Sequence, residues 1–405
     1  MKALPLTSSL VFLFFISPSS ADIIYKIQTK PDAPSKVEIL IDTKNLGPLT
    51  FEPSRKAPGP SKRQAVELNC LQADGSSRPV HYNKTIQCEK VSWEVSFKKL
   101  DKLGTDVSEQ QNAYSVNGLK VFFEWDNLPR IKEFKNIQVC VKGLQKSICQ
   151  SLPSVSSAPL IMAWGVNPIH LKEGNFSVNI YKDSDLLDEQ FPEMVNAMDR
   201  GIKYLTPILG KEKAPVKFDL VFVKIDKSVG RFGAAAGNNG FVANYITSNG
   251  ALDLPHFYRL KHLALHETIH SINGIPLSTW AGESLAEYYA HKVMGQIEQG
   301  YQTAIEEWQT NKPKFKAIEV NMLEANEMVK NNNYSVYGLF YDKGAAFWNE
   351  LDNALMEKGA SLDDVIKYMS KDVITAGDIP KPFIEKVEVM IGKEKWQRLY
   401  EEYIK

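Results

Sequence analysis

The spacing of apolar residues changes character partway along the chain. Up to about residue 157 it is short and alternating. Segments 35–42, 65–71, 91–97, 119–125 and 136–142 are β-branched or period-two runs, closed by Gly, Pro or Asn turns. Runs of this kind bury one face and leave the other polar, and together they predict a β-sandwich over residues 22–157. Ser151-Leu-Pro-Ser-Val-Ser-Ser-Ala-Pro159 keeps neither period and reads as a linker. Beyond it the periods mix. Segments 176–181 and 216–225 read as strands around 185–209, an amphipathic helix with Leu187, Phe191, Met194, Val195, Met198, Ile202 and Leu205 inward, although Pro192 falls inside it. The Gly-rich stretch 230–240 lacks the strand–turn–helix context of a phosphate loop and reads as a flexible lip before an edge strand at 241–246.

Helical spacing then takes over. A helix through Tyr258 to His270 stops at Asn273-Gly274 and Pro276, and a second runs over 278–293. Further helices are expected at 341–357, 361–370 and 380–403, the last broken at Gly392. The expected class is therefore multidomain α+β, with a β-sandwich followed by a mixed domain over 158–405 whose C-terminal part is helical.

The first 21 residues change the picture of where the chain works. A lysine start, the apolar run Leu10-Val-Phe-Leu-Phe-Phe-Ile16 and the small residues Ser19-Ser-Ala21 predict a secretory signal peptide, too short to be a membrane anchor. No later stretch is apolar enough to span, so the mature chain is expected to be exported and soluble, in the periplasm or secreted. Cys70, Cys88, Cys140 and Cys149 all lie in the first half, and in an exported chain they predict two disulfides. Local pairing, Cys70–Cys88 and Cys140–Cys149, is the expectation among three connectivities. Lys plus Arg and Asp plus Glu number 48 each, so no global charge argues for a nucleic-acid partner.

The chemistry concentrates in His266-Glu267-Thr268-Ile269-His270. Residues four apart project from one helix face, so His266 and His270 can grip one metal ion from adjacent turns, with Glu267 placed to reach a water on it. A catalytic zinc needs a third protein ligand and an open fourth position. The next helix offers Glu283 and Glu287, one turn apart. His262, four residues before His266, would close the open position as a fourth ligand and is expected instead to stand behind the ligands or to be partly exposed. His291 is expected to be structural.

Trp280-Ala-Gly-Glu-Ser-Leu-Ala-Glu-Tyr-Tyr289 resembles the W-x-x-E-G-x-x-x-Y-Y segment of the glycyl aminopeptidase family and its aminopeptidase N relatives, which are gluzincin zinc metallopeptidases. His270-Ser-Ile-Asn273 and Tyr341-Asp-Lys-Gly-Ala345 are similar to further segments of those families, and the resemblance runs from about Phe218 to the C-terminus. It departs at Ser284, where the families have Gly, and in a shorter loop between the two helices. The resemblance implies a thermolysin-like α/β catalytic domain. It also implies Glu283 as the third zinc ligand, Glu287 as the group that orients a ligand His, and Tyr341 as the donor to the oxyanion. The relatives carry, on the strand beside the site, an acidic residue for the substrate's free amino group, and no such motif stands here.

These readings converge on a hydrolase: an exported, aminopeptidase-like peptidase with one Zn²⁺ per chain, acting on a peptide or protein. Two other classes remain open at this point, a zinc endopeptidase on the same site and a non-enzymatic binding protein on the same scaffold.

Overall fold

A computed structural model of the chain describes residues 23–30, 32–57, 64–173, 176–209, 217–230, 233–370 and 379–405. The expected signal peptide lies outside the described residues. In the first part, the alternating runs form a seven-stranded sheet. Its order is Ser147–Ser151, Ile137–Lys142, Ile23–Thr29, Lys36–Asp42, Lys90–Ser96, Leu68–Leu71 and Ser77–Val80. Every second side chain is buried along the Ile23 and Lys36 strands, so Ile23, Tyr25, Ile27, Val37, Ile39 and Ile41 share one face. That face shares a core with Phe51, Phe122, Ile131, Met162 and Trp164 of two smaller sheets, four- and three-stranded. Each such side chain contributes ~1.5–3 kcal/mol by leaving water.

Strand Ile161–Trp164 follows the Ser/Pro-rich stretch yet pairs with Lys120–Phe123, so the chain returns to the β-rich part after the predicted linker. The cysteines pair locally as Cys70–Cys88 and Cys140–Cys149, the second across directly opposed positions of one hairpin.

The second sheet runs Ile169–Glu173, Phe176–Lys182, Lys217–Asp226, Gly240–Ser248, Ala234–Gly237. Here one expectation is corrected. Gly240–Ser248 is an interior strand, parallel to Lys217–Asp226 on one side and antiparallel to Ala234–Gly237 on the other. All of it but Ser248 is buried, as an interior strand requires. The outer place belongs to the Ala/Gly stretch read as a flexible lip. A second correction concerns the helix expected at 185–209. Helix α1 is Phe191–Leu205 and carries Pro192 in its first turn, where the missing N–H costs nothing.

The rest is helical: α2 Phe257–Ile272, α3 Thr279–Ile297, α4 Ala304–Asn311, α5 Met322–Lys330, a π-helical turn Phe340–Gly344, then α6 Ala345–Met356, α7 Leu362–Val365, α8 Lys381–Ile391 and α9 Lys393–Leu399. Gly392, at φ +85°, separates the last two. One core joins α1 to α3, the sheet and the later helices. Among the described residues no helix is long and apolar enough to cross a membrane.

The β-rich part is keyed to the second sheet by Asn244. Its side chain accepts from the Val107 N–H at 2.9 Å and donates to the carbonyls of Thr105 (2.7 Å) and Val223 (3.0 Å). A shared apolar cluster, including Leu100, Val121, Phe123, Val221 and Val242, fills the seam.

Candidate metal centre

Helix α2 buries Phe257, Leu260, Ala264, Leu265, Ile269 and Ile272 in the core. The stripe left over carries His262, His266 and His270, one turn apart. Helix α3 buries Trp280, Leu285, Tyr289 and Val293 and presents Glu283, Glu287 and His291 at the same spacing. Between the helices, residues 273–278 turn the chain back, and Asn273 leaves the helix in an extended conformation (φ −68°, ψ 120°). The two stripes therefore meet in opposite order. Glu283 faces His266 and His270, Glu287 faces His262 and His266, and His291 packs on His262 with ring centroids 4.5 Å apart.

Three donor atoms converge at one end. Nε2 of His266 and Nε2 of His270 are 3.0 Å apart, and Oε2 of Glu283 lies 3.5 Å from each. Ligands placed tetrahedrally ~2.05 Å from a zinc ion stand ~3.3 Å from one another. This trio thus has the size and donor chemistry to hold zinc, with a fourth position left over. Glu287 stands behind it. Its Oε2 is 2.6 Å from Nδ1 of His266, and an ionised carboxylate can only accept, so the ring proton sits on Nδ1 and the Nε2 lone pair turns toward His270 and Glu283. His262 touches Oε1 of Glu287 at 2.9 Å rather than joining the trio.

Burial works against charge throughout this cluster. It pushes the carboxyls of Glu283 and Glu287 up, but the facing histidines, His270 and His266 for the first and His262 and His266 for the second, outweigh it and hold both well below the usual range. For Glu267 the balance reverses: burial wins over His266 and His270 and raises its pKa. That suits a group that must take up a proton and give it back.

Tyr341 sits on the π-helical turn, a one-residue widening often found where a helix serves a site. Its ring meets His266 edge-on, centroids 5.5 Å apart. Close approach fixes this turn against α3, since a Cβ on Gly344 would stand 2.7 Å from Cβ of Ser284. Ser284 itself accepts from the Trp348 indole N–H at 2.8 Å, which gives the hydroxyl at this position a buried partner. Tyr337, one turn before Tyr341, meets it edge-on with ring centroids 5.6 Å apart, and burial together with the Glu283 charge pushes its hydroxyl pKa up.

A cavity of about 360 Å³ opens beside these groups, lined by Glu267, His266, Tyr341, Arg259, Glu307 and Asp342 among others. Burial pushes Asp342 up to about 6. The turn Val107–Glu109 reaches this wall from the β-rich part, with Ser108 beside Gly233 and Ala234.

The structure brings His266, His270 and Glu283 together, places Glu287 behind His266, and sets Glu267 and Tyr341 on the adjoining cavity. Sequence reasoning missed Tyr337, Glu307 and Asp342. The four-residue spacing of Tyr337 and Tyr341 could have found the first. Nothing local marks Glu307, because it arrives through the placement of α4.

No family model matches the chain, and no curated protein sequence matches it. Among solved structures it is similar to an aminopeptidase N family protein from Idiomarina loihiensis, with a TM-score of 0.60 at 11% sequence identity, over 92% of this chain and 71% of that one. At such an identity the likeness is one of fold: a mixed α+β multidomain architecture, β-rich toward the N-terminus and helical toward the C-terminus.

Proposed function

We propose that this chain is an exported zinc metallopeptidase of the gluzincin kind, with an aminopeptidase-like site. One observation carries the reading: the triangle of His266, His270 and Glu283 donor atoms, backed by Glu287 on the far side of His266. Zinc bound there would supply Lewis acidity, polarising a carbonyl and lowering the pKa of a water toward neutrality. Glu267 lines the cavity, takes the proton of the attacking water and delivers it to the leaving amine as the peptide bond breaks. Tyr341 donates a hydrogen bond to the carbonyl oxygen as it gains charge, a role worth ~3 kcal/mol for a preorganised donor. Glu287 keeps His266 in the tautomer whose Nε2 is free to bind. The two disulfides, with no free cysteine among the described residues, support an oxidising location.

An endopeptidase on the same machinery is the second reading. Strands Ala234–Gly237 and Gly240–Ser248, next to α2, contain no Asp or Glu to receive a free amino terminus. One experiment separates the two. The zinc-loaded chain is incubated with a peptide library, half of it N-acetylated, and products are read by mass spectrometry with Glu267→Gln as control. Single-residue trimming of free peptides alone supports the aminopeptidase. Internal cuts in both halves support the endopeptidase. Cleavage that persists in Glu267→Gln sinks the mechanism.

A further inference from the structure

The helix stripes that build the first site continue past it, and their other end is a second cluster of donors. His262 Nε2 lies 2.9 Å from Oε1 of Glu287, His291 Nε2 lies 3.9 Å from the same oxygen, and Oε2 of Glu307 on α4 lies 3.2 Å from His291 Nε2. Donor atoms of His262, Glu287 and His291 all fall within 4.8 Å of one another. We propose that His262, His291, Glu287 and Glu307 hold a second divalent cation of the zinc type, beside the first site and joined to it through Glu287.

The hydrogen-bonding of His291 carries the argument. Its Nδ1 is 2.9 Å from the carbonyl oxygen of Gln302, which can only accept, so Nδ1 bears the ring proton. Its Nε2 then faces the two carboxylates of Glu287 and Glu307, at 3.9 and 3.2 Å. Two carboxylates gathered on one ring nitrogen need positive charge between them, and a metal ion shared by all four side chains supplies it where a single proton on Nε2 serves only one carboxylate. His262 points the same way. It is 7% exposed and turns its Nε2 to the same Glu287 oxygen, 2.9 Å away.

The chemistry of the donor set selects the ion. Two imidazole nitrogens with carboxylate oxygens suit zinc, whereas magnesium and calcium take oxygen ligands throughout. Spacings of 2.9 and 3.2 Å fall just under the ~3.3 Å edge of a tetrahedral zinc site, and the 3.9 Å pair, above it, closes with a small side-chain movement. An entry path exists, because His262, Glu287 and Glu307 all line the 360 Å³ cavity that also serves Glu267 and His266. Glu287 then uses one oxygen for His266 and the other for the second ion, so the two sites share a carboxylate without sharing a ligand atom.

The test is metal stoichiometry rather than turnover. The full chain is stripped of metal, titrated with Zn²⁺ and counted by native mass spectrometry, with circular dichroism to show that each variant is folded. Wild type is expected to take two zinc ions. His291→Asn and Glu307→Gln should each take one, and His270→Ala should also take one, losing the first site but keeping the second. Glu307 is partly exposed, so its variant remains informative if His291→Asn does not fold. Saturation of wild type at one zinc, the cluster being held by a proton, overturns the proposal. So does a second zinc that persists in Glu307→Gln and in folded His291→Asn, which would place it elsewhere. Failure of the first site reads differently: His270→Ala would then leave the wild-type count unchanged.

Discussion

Nδ1 of His266 and Oε2 of Glu287 are 2.6 Å apart, and this contact sets which nitrogen of the ring faces His270 and Glu283. Glu283 and Glu287 thus hold different posts although they stand one turn apart on α3. In the proposed function Glu283 would offer an oxygen to the ion, and Glu287 would orient a ligand from behind. Replacing Glu287 with Ala should lower zinc affinity by roughly 10–100-fold, the usual effect of losing such a partner. Replacing Glu283 with Ala should lower it further, because one of three donors is gone. Chelator competition in a Glu307→Gln background, so that a single zinc is counted, ranks the two. The opposite ranking would exchange their assignments.

The packing behind Tyr341 makes a separate prediction. Gly344 approaches α3 so closely that an added Cβ would sit 2.7 Å from Cβ of Ser284 and 3.3 Å from the Met322 sulfur. Gly344→Ala should therefore cost ~1–3 kcal/mol of stability by overpacking. The shift falls on the turn that carries Tyr341, so turnover should drop while zinc stoichiometry stays. Denaturant midpoints and metal counts on the same sample check both halves. An active variant of wild-type stability would show that the turn gives way freely.

How much of this is legible in the sequence depends on how local each feature is. His266, Glu267 and His270 can be read directly, because the helix repeat alone places them. The Cys140–Cys149 bridge is legible for a similar reason, since a short hairpin brings the pair together. Strand positions are not. Whether Gly240–Ser248 lies at an edge is decided by what pairs beside it, and Ala234–Gly237 has a composition that reads as loop. The second donor cluster was half visible, as His262 and His291 were noted without a common role. Glu307 completes it from a separate helix, α4, and the sequence carries no signal of how that helix docks.

Burial pushes the Asp342 carboxyl from a usual 3.8 up to about 6. The folded chain therefore holds this proton more tightly than the unfolded chain does. Its favourable contribution is fully present below the unfolded value and is lost as pH rises through about 6. At neutral pH the wild type keeps a carboxylate where the neutral form is preferred. Asp342→Asn removes the charge and retains an acceptor for Asn311 Nδ2, 2.6 Å away. A shift of this size is worth at most ~3 kcal/mol, and partial exposure reduces it. The variant should be more stable than wild type by ~1–2 kcal/mol near pH 7.5, with the gain shrinking to a few tenths near pH 4. Urea denaturation at both pH values measures it, and a gain independent of pH would remove Asp342 ionisation as the cause.

Tyr341 and Tyr337 offer the sharpest separation of chemistry from metal binding. Both are aromatic, they lie one turn apart, and their rings meet edge-on with centroids 5.6 Å apart. Beside burial, the charge of Glu283 helps push the Tyr337 hydroxyl pKa up, so that hydroxyl is near enough to serve the proposed metal ligand. Tyr341 has its ring against His266 and lines the cavity, so its hydroxyl can reach an oxygen of the substrate. Tyr341→Phe removes only that donor. It should lower kcat by ~10²–10³-fold, as loss of one preorganised oxyanion donor does, with zinc affinity and KM close to wild type. Tyr337→Phe should do the reverse: zinc affinity falls as a hydroxyl near Glu283 is removed, and kcat at saturating zinc changes little. Steady-state kinetics at two zinc concentrations distinguish these outcomes. If both variants lose kcat equally at saturating zinc, the two hydroxyls act as one unit and the oxyanion role cannot be assigned to Tyr341 alone.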